Sequence, residues 1–281
     1  MISKKLKNGF EIPQLGIGTW GFGGREFHDP GNNDTLQIEA IENAVTNGIT
    51  WIDTAEYYAG GYAETLIGTA LRGAKRNSYQ ICSKVWKTHL KRDDVWRAAE
   101  NSLNRLKTDH FDLYLYHQID ESVPLEETLG AMNELFEQKI TSNIGVSNFN
   151  ARRLKRAMQI SPAPITVNQV EYSLVCREPE TDLLEFCQQN DVILQAWRPL
   201  QYLKDCSLTD ELCEKYSVSL QQLALAWLLA QDNVTAVAAM KSYSHLLDNI
   251  AASNLKLDEE DIMLLQKNYP EQRQISRVPL K

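Results

Sequence analysis

Short apolar runs and amphipathic segments alternate along the whole chain. Eight runs read as strands, at residues 14–19, 50–53, 79–84, 111–117, 142–147, 165–169, 192–197 and 234–239. Their nearly continuous apolar character predicts strands covered on both faces, as in a parallel sheet flanked by helices. Between and after them lie helical patterns: TLQIEAIENAVTNG, ETLIGTALRG, DVWRAAENSLNRL, LEETLGAMNELFEQK, ARRLKRAMQ, ETDLLEFCQQN, SLQQLALAWLLAQ and HLLDNIAASN. Asp34 and Ser219 stand at N-cap positions, and Gly48 and Gly73 where helices stop. The opening KKLKNGFEI sets Asn8-Gly9 between two strand-like pieces, a hairpin signal. LDEEDIMLLQKN predicts one more helix after the eighth unit. Strand-then-helix repeated eight times closes most naturally into a (β/α)8 barrel. No linker, repeat or charge block divides residues 1–281, which read as a single α/β barrel domain with an N-terminal hairpin beneath it.

Charge and cysteine usage narrow the setting. The formal net charge is -8, with Lys and Arg scattered along the chain. General binding to nucleic acid or a membrane surface is therefore not expected. The five cysteines form no C-x-x-C pair and read as reduced thiols. The start, MISKKLKNGFEIP, has no apolar signal core, and no stretch is long enough to span a bilayer. These features predict a cytoplasmic protein.

One motif misleads. QLGIGTWGFGG contains Gly16-x-Gly18-x-x-Gly21, a literal match to the dinucleotide fingerprint. That fingerprint needs a helix at once and an acidic strand end about 20 positions on. Here the polar loop REFHDPGNND intervenes, and the strand-ending acid is the distant Asp53. No tyrosine has a lysine four residues later, so the short-chain dehydrogenase pair is missing too. The glycines read as a barrel loop.

In a (β/α)8 barrel the residues ending the strands share one mouth. They are Asp53, Lys84, His117, Ser147 with Asn148, Gln169, Trp197 and Lys241. Polar residues end strands in most proteins, so the combination carries the weight. A buried Asp53 needs a cation, and Lys84 on the next strand can supply it. An ammonium beside Tyr58 favours the phenolate, so Tyr58 is expected to have a lowered pKa. A tyrosine so tuned can give a proton and take it back, while His117 orients the same substrate oxygen. The set is suited to protonating a carbonyl oxygen.

At these residues the chain resembles the aldo-keto reductase family. The likeness runs its full length, through WIDTAEYYAGGYAETLIGTAL, CSKVW, DLYLYHQ, IGVSNFN, NQVEYSLVCREPETDLLEFCQQNDV and AWRPL in the family's order. It implies reversible, metal-free hydride transfer between NADPH, with NADH possible, and a carbonyl substrate. Tyr58 would be the proton donor, assisted by Lys84 and Asp53, with His117 positioning the carbonyl. Ser147, Asn148 and Gln169 would hold the nicotinamide carboxamide and Trp197 would stack on its ring. In KSYSHLLDN, Lys241 and Ser242 would meet the 2′-phosphate, and Asp248 and Asn249 the adenine. His245 stands where many members have Arg or Gln. Arg198 replaces a common Ser and adds a cation near the pyrophosphate path.

Trp20, Tyr57, Trp86, Gln118 and Phe149 sit just beyond strand ends as candidate walls of the substrate pocket. The tail YPEQRQISRVPLK is a candidate pocket edge, and no long substrate-selecting loop is evident, which favours small or sugar-like aldehydes. The alternative is a nucleotide-binding regulatory subunit resembling the channel-associated β-subunits of this superfamily. Physiological substrate, working direction and oligomeric state, monomer included, stay open.

Overall fold

Asn8 and Gly9 make the turn that starts the chain. Gly9 has φ +92°, and the Phe10 N–H bonds the Asn8 side chain at 3.0 Å. The turn joins β1 (Ser3–Lys5) to β2 (Glu11–Pro13) as an antiparallel pair. The computed structural model describes residues 2–273 and 275–281.

Eight further strands form a closed parallel barrel. They are β3 (Leu15–Gly18), β4 (Trp51–Asp53), β5 (Gln80–Val85) and β6 (Leu113–Tyr116). β7 (Ile144–Ser147), β8 (Ile165–Glu171), β9 (Ile193–Trp197) and β10 (Val234–Ala238) complete it, with β10 pairing β3. The helices begin with α1 (Asp34–Thr46), α2 (Tyr62–Ala70), α3 (Arg92–Leu106), α4 (Leu125–Glu137) and α5 (Ala151–Ile160). α6 (Leu183–Gln189), α7 (Ser207–Tyr216), α8 (Leu220–Leu229), α9 (Tyr243–Asn254) and α10 (Glu259–Asn268) follow.

One helix is added and one cap is corrected. α7 lies just before SLQQLALAWLLAQ, outside the helical patterns named from the sequence, so the seventh unit carries two helices. Leu212 of α7 is buried and Leu208, Cys213 and Tyr216 are half-buried against the core, a short stripe at helical spacing. The N-cap of α1 is Asn33, whose side chain accepts the Leu36 N–H, and Asp34 is the first helical residue. Ser219 caps α8 reciprocally with Gln222.

The barrel interior is layered. At the bottom, Leu6, Phe10 and Ile12 of the hairpin region pack against Trp51, Leu113, Val167 and Ile193. Each such side chain contributes about 1.5–3 kcal/mol on burial, so the hairpin is a plug. Gly16 belongs to this layer: a Cβ there would lie 2.3 Å from Trp51 Cδ1. The first glycine of the misleading motif therefore makes room for a tryptophan. Higher up the interior turns polar, with Asp53, Lys84, Gln169 and Gln195 all buried.

Candidate active site

β4 ends at Asp53 and the chain turns at once into the segment Tyr58–Gly61. Ala59, Gly60 and Gly61 all have positive φ, at +52°, +62° and +89°. For Ala59 this left-handed geometry costs about 1–2 kcal/mol. It is held by its N–H donating to the Arg25 carbonyl at 2.6 Å. The outcome is that Tyr58 turns back over the barrel, toward Lys84.

Lys84 carries the centre. Its ammonium is fully buried and donates to Asp53 Oδ1 at 2.7 Å, to the Thr54 carbonyl at 2.7 Å and to the Tyr58 hydroxyl at 3.3 Å. Burial alone would lower its pKa, but Asp53 and its other neighbours outweigh that and raise it, so Lys84 remains an ammonium. Gln169 Nε2 donates to the second Asp53 oxygen at 2.6 Å.

The electrostatics correct one expectation. Tyr58 is pushed up to about 12, because desolvation of the buried phenol outweighs the pull of Lys84. Lys84 does act in the expected direction, but it is not the largest influence. Tyr58 is thus a firmly protonated phenol at neutral pH.

His117 follows β6, with its ring 5.7 Å from that of Tyr58 in an edge-on arrangement. Burial and the Lys84 charge hold its pKa well below the usual imidazole value, so it is neutral. Its Nδ1 is buried without a partner. Trp20, Tyr57 and Trp86 form a run of near-parallel rings beside these two, at 6.1 and 3.7 Å between centroids. The Trp86 backbone N–H donates to Glu56 Oε1 at 2.6 Å. Gln118 is half-buried and accepts from Asn148 Nδ2 at 3.3 Å.

Phe149 is different. It is fully buried in the main core, edge-on to Tyr116 at 5.4 Å, with Arg153 over its ring. It is a core residue and does not wall the pocket. The sequence shows that an aromatic follows Asn148, but its direction depends on the left-handed φ of +62° at Asn148.

On the other side of the mouth, Ser147 donates to the Gln169 carbonyl at 2.7 Å, while Asn148 Oδ1 is buried and unpartnered. Trp197 is half-buried at the end of β9, and the Arg198 guanidinium lies 5.0 Å from its ring centre. Lys241 is exposed, its ammonium 3.3 Å from where a Cβ on Gly21 would sit. Ser242 caps α9 by accepting the His245 N–H at 3.2 Å. His245 and Asp248 are exposed on α9, whereas Asn249 is buried and reaches the Ala239 carbonyl at 3.5 Å.

Three participants were not singled out in the sequence: the Thr54 carbonyl, Glu56 and Gln195. Gln195 had a signal, since it is polar inside an apolar strand and two residues before Trp197, hence on the same face. The tail, apart from Gln274, which lies outside the described residues, is bound to the mouth. Ser276 Oγ and the Arg277 N–H donate to Glu171 Oε2 at 2.5 and 2.9 Å, and the Lys281 N–H donates to the Asn148 carbonyl at 3.1 Å.

Among the described residues no group of three His, Cys, Asp or Glu is placed to hold a metal ion. No helix among them is long and apolar enough to cross a membrane.

Comparison with known proteins agrees with this geometry. The sequence profile of the Aldo/keto reductase family matches residues 14–269. A methylglyoxal reductase of Escherichia coli is 33% identical over 267 residues, 92% of each chain. A glyoxal reductase of Bacillus subtilis is 30% identical over 262 residues, 92% of this chain and 89% of that one. A thermostable aldo-keto reductase solved with the inhibitor epalrestat superposes with TM-score 0.91 at 45% identity, covering 95% of this chain and 99% of that chain. An aldo-keto reductase of Klebsiella pneumoniae solved with NADPH gives 0.85 at 33%, covering 98% of both. With a barrel, a buried Asp–Lys–Tyr cluster and matches along nearly the whole sequence, the chain belongs to the aldo/keto reductase family.

Proposed function

We propose that Tyr58, Lys84, Asp53 and His117 are the proton-transfer site of an NADPH-dependent reductase of small or sugar-like aldehydes. As an aldo/keto reductase the protein is an oxidoreductase acting on carbonyl groups. The observation that carries the residue assignment is the Tyr58 hydroxyl 3.3 Å from an ammonium that is itself held by Asp53 at 2.7 Å.

NADPH, when bound, supplies the hydride to the carbonyl carbon, and NADP+ accepts it in the reverse direction. As the carbonyl oxygen gains charge it becomes more basic than a phenolate, so a Tyr58 raised to about 12 still gives up its proton to it. Lys84 then stabilises the phenolate that remains, at a distance where the low dielectric strengthens the attraction. Neutral His117 orients that oxygen without competing as an acid. Trp20, Tyr57 and Trp86 form a narrow aromatic wall that suits a short carbonyl chain.

The residues fit a nicotinamide nucleotide. A buried unpartnered Asn148 Oδ1 beside Ser147 calls for an amide N–H, and half-buried Trp197 offers a ring face. Ser147, Asn148, Gln169 and Trp197 would hold the nicotinamide, with Arg198 toward the pyrophosphate. Lys241, Ser242, His245, Asp248 and Asn249 would hold the adenosine end, where the first turn of α9 adds its positive end. NADH is the weaker alternative; a relative in Escherichia coli is described as an NADH-specific methylglyoxal reductase. The net charge of -8 argues against nucleic-acid or membrane-surface partners, the five free cysteines suit a cytoplasmic enzyme, and one closed barrel supports reading residues 1–281 as one domain.

Tyr58→Phe tests the assignment. It removes the hydroxyl and keeps the ring, so nucleotide binding should persist while turnover falls by about 10²–10⁴. Retention of more than about half the parent rate on a good aldehyde would refute the role.

A further inference from the structure

Behind the Asp53–Lys84 pair, buried polar side chains continue across the barrel. Gln169 Nε2 lies 2.6 Å from Asp53 Oδ2 and 2.6 Å from Gln195 Oε1, and Gln195 Nε2 lies 3.4 Å from Thr235 Oγ1. Gln169 is 2% exposed, and Gln195 and Thr235 are fully buried. The line therefore runs from β10 through β9 and β8 to the ends of β4 and β5, without water access. A primary amide nitrogen has two hydrogens, and here each has its own acceptor. The amide orientation follows from charge. Asp53 accepts only, so Gln169 must turn its nitrogen to it, and Gln195 must then turn its oxygen to Gln169.

We propose that Gln195 is a positioning residue for the proton-transfer pair: by accepting one N–H of Gln169 it fixes the amide whose other N–H holds Asp53. Without that acceptor, a buried N–H of Gln169 is left unpaired and the amide is free to rotate away from Asp53. The full carboxylate charge then bears on Lys84 and, through it, on Tyr58, which Asp53 already disfavours as phenolate. A corollary concerns ligands. With both hydrogens of Gln169 committed, only its carbonyl oxygen is available, so Gln169 can accept from a bound group but not donate to it. This inference rests on the proton-transfer reading of Tyr58, Lys84 and Asp53.

The test uses Gln195→Met, Gln169→Met and the double variant in the full chain. With saturating NADPH and a short aldehyde, Gln195→Met should lower kcat about 5- to 30-fold, with KM changed less than about twofold. NADPH affinity, read by fluorescence quenching, should change less than about threefold. The double variant should be no slower than Gln169→Met, because Gln195 acts through Gln169. Urea unfolding of the nucleotide-free variants supplies a readout without turnover, and the two destabilisations should sum to more than the double variant shows.

Gln195→Glu gives a second handle should the methionine variant fold poorly. A carboxyl there keeps an oxygen to accept the Gln169 N–H in either protonation state, and burial holds it protonated to higher pH. The groups facing Asp53 are Lys84 and Cys82 from β5 and Tyr58 from the turn after β4, with His117 facing Lys84 from β6. Its kcat should stay above that of Gln195→Met across the pH range and come nearest the parent at acid pH, where the new carboxyl adds no charge beside Asp53. The proposal is overturned if the kcat losses multiply in the double variant, if the unfolding energies are additive, or if Gln195→Glu tracks Gln195→Met at every pH. Failure of Tyr58→Phe to lose turnover sinks the underlying reading instead, and leaves the unfolding cycle untouched.

Discussion

Lys84→Met removes one charge from a pair that solvent does not reach. Lys84 is 0% and Asp53 3% exposed, and their contact is 2.7 Å. At an effective dielectric of about 20 the attraction at that distance is about 6 kcal/mol, an upper figure from which the desolvation of both groups must be taken. Breaking a buried pair by deleting one partner typically costs about 3–5 kcal/mol, because the other charge is left behind. Here the charge left behind is the Asp53 carboxylate, whose remaining side-chain donor is Gln169. For a chain of this size each kcal/mol shifts Tm by roughly 2–4 °C, so a drop of roughly 6–20 °C is expected. Adding Asp53→Asn removes the stranded charge, and the double variant should recover at least about half of the lost stability. Turnover should stay below about one-thousandth of the parent in both variants, since neither has the ammonium beside Tyr58. Thermal melts of the parent, Lys84→Met and the double variant at neutral pH, with aldehyde reduction measured in parallel, make the comparison. If Lys84→Met melts within about 2 °C of the parent, or the second substitution lowers Tm further, the pair is not the buried charge pair described.

The remaining predictions concern other parts of the mouth. Burial and Lys84 hold His117 well below its usual pKa, so between that value and about pH 6.5 the unfolded chain binds more protons than the native one. Stability should fall as the pH is lowered through this range, and His117→Gln should flatten the slope; equal slopes in urea titrations of the two would contradict the buried neutral imidazole. Lys241→Ala should weaken NADPH about 3- to 30-fold and NADH little, the smaller end reflecting screening of an exposed cation. Equal losses for both nucleotides by titration would place Lys241 elsewhere. Phe149→Ala should cost about 3–5 kcal/mol of stability with aldehyde KM changed less than about twofold; a large KM change in a chain of unchanged stability would restore it to the pocket wall.

The chain spells out its barrel locally. Near-continuous apolar runs such as LYLY and IGVS, parted by amphipathic segments, reach the required count of eight strands without any knowledge of contacts. The hairpin is legible in Asn8-Gly9 and the cap of α8 in Ser219, because turns and caps depend on neighbours a few residues away. The residues proposed for proton transfer are legible for a related reason: a barrel gathers its strand ends, so Asp53, Lys84 and His117 need only stand at successive ends to meet. α7 is harder to see, since Leu208, Leu212, Cys213 and Tyr216 recur at helical spacing over only 10 residues with charged residues between them.

Other features depend on sums over the whole fold. The sign of the Tyr58 shift is one, because Lys84 pulls down while burial by residues from several elements pushes up, and only packing says which is larger. The burial of Phe149 is another, decided by one backbone angle at Asn148. The amide line from Thr235 through Gln195 and Gln169 to Asp53 joins four strands, and no spacing along the chain announces it. Sequence alone thus determined the periodicities, the turns and the residues brought to the mouth. Tertiary structure decided which of them lose water and which find partners, because desolvation and hydrogen-bond pairing belong to the assembled interior rather than to any one segment.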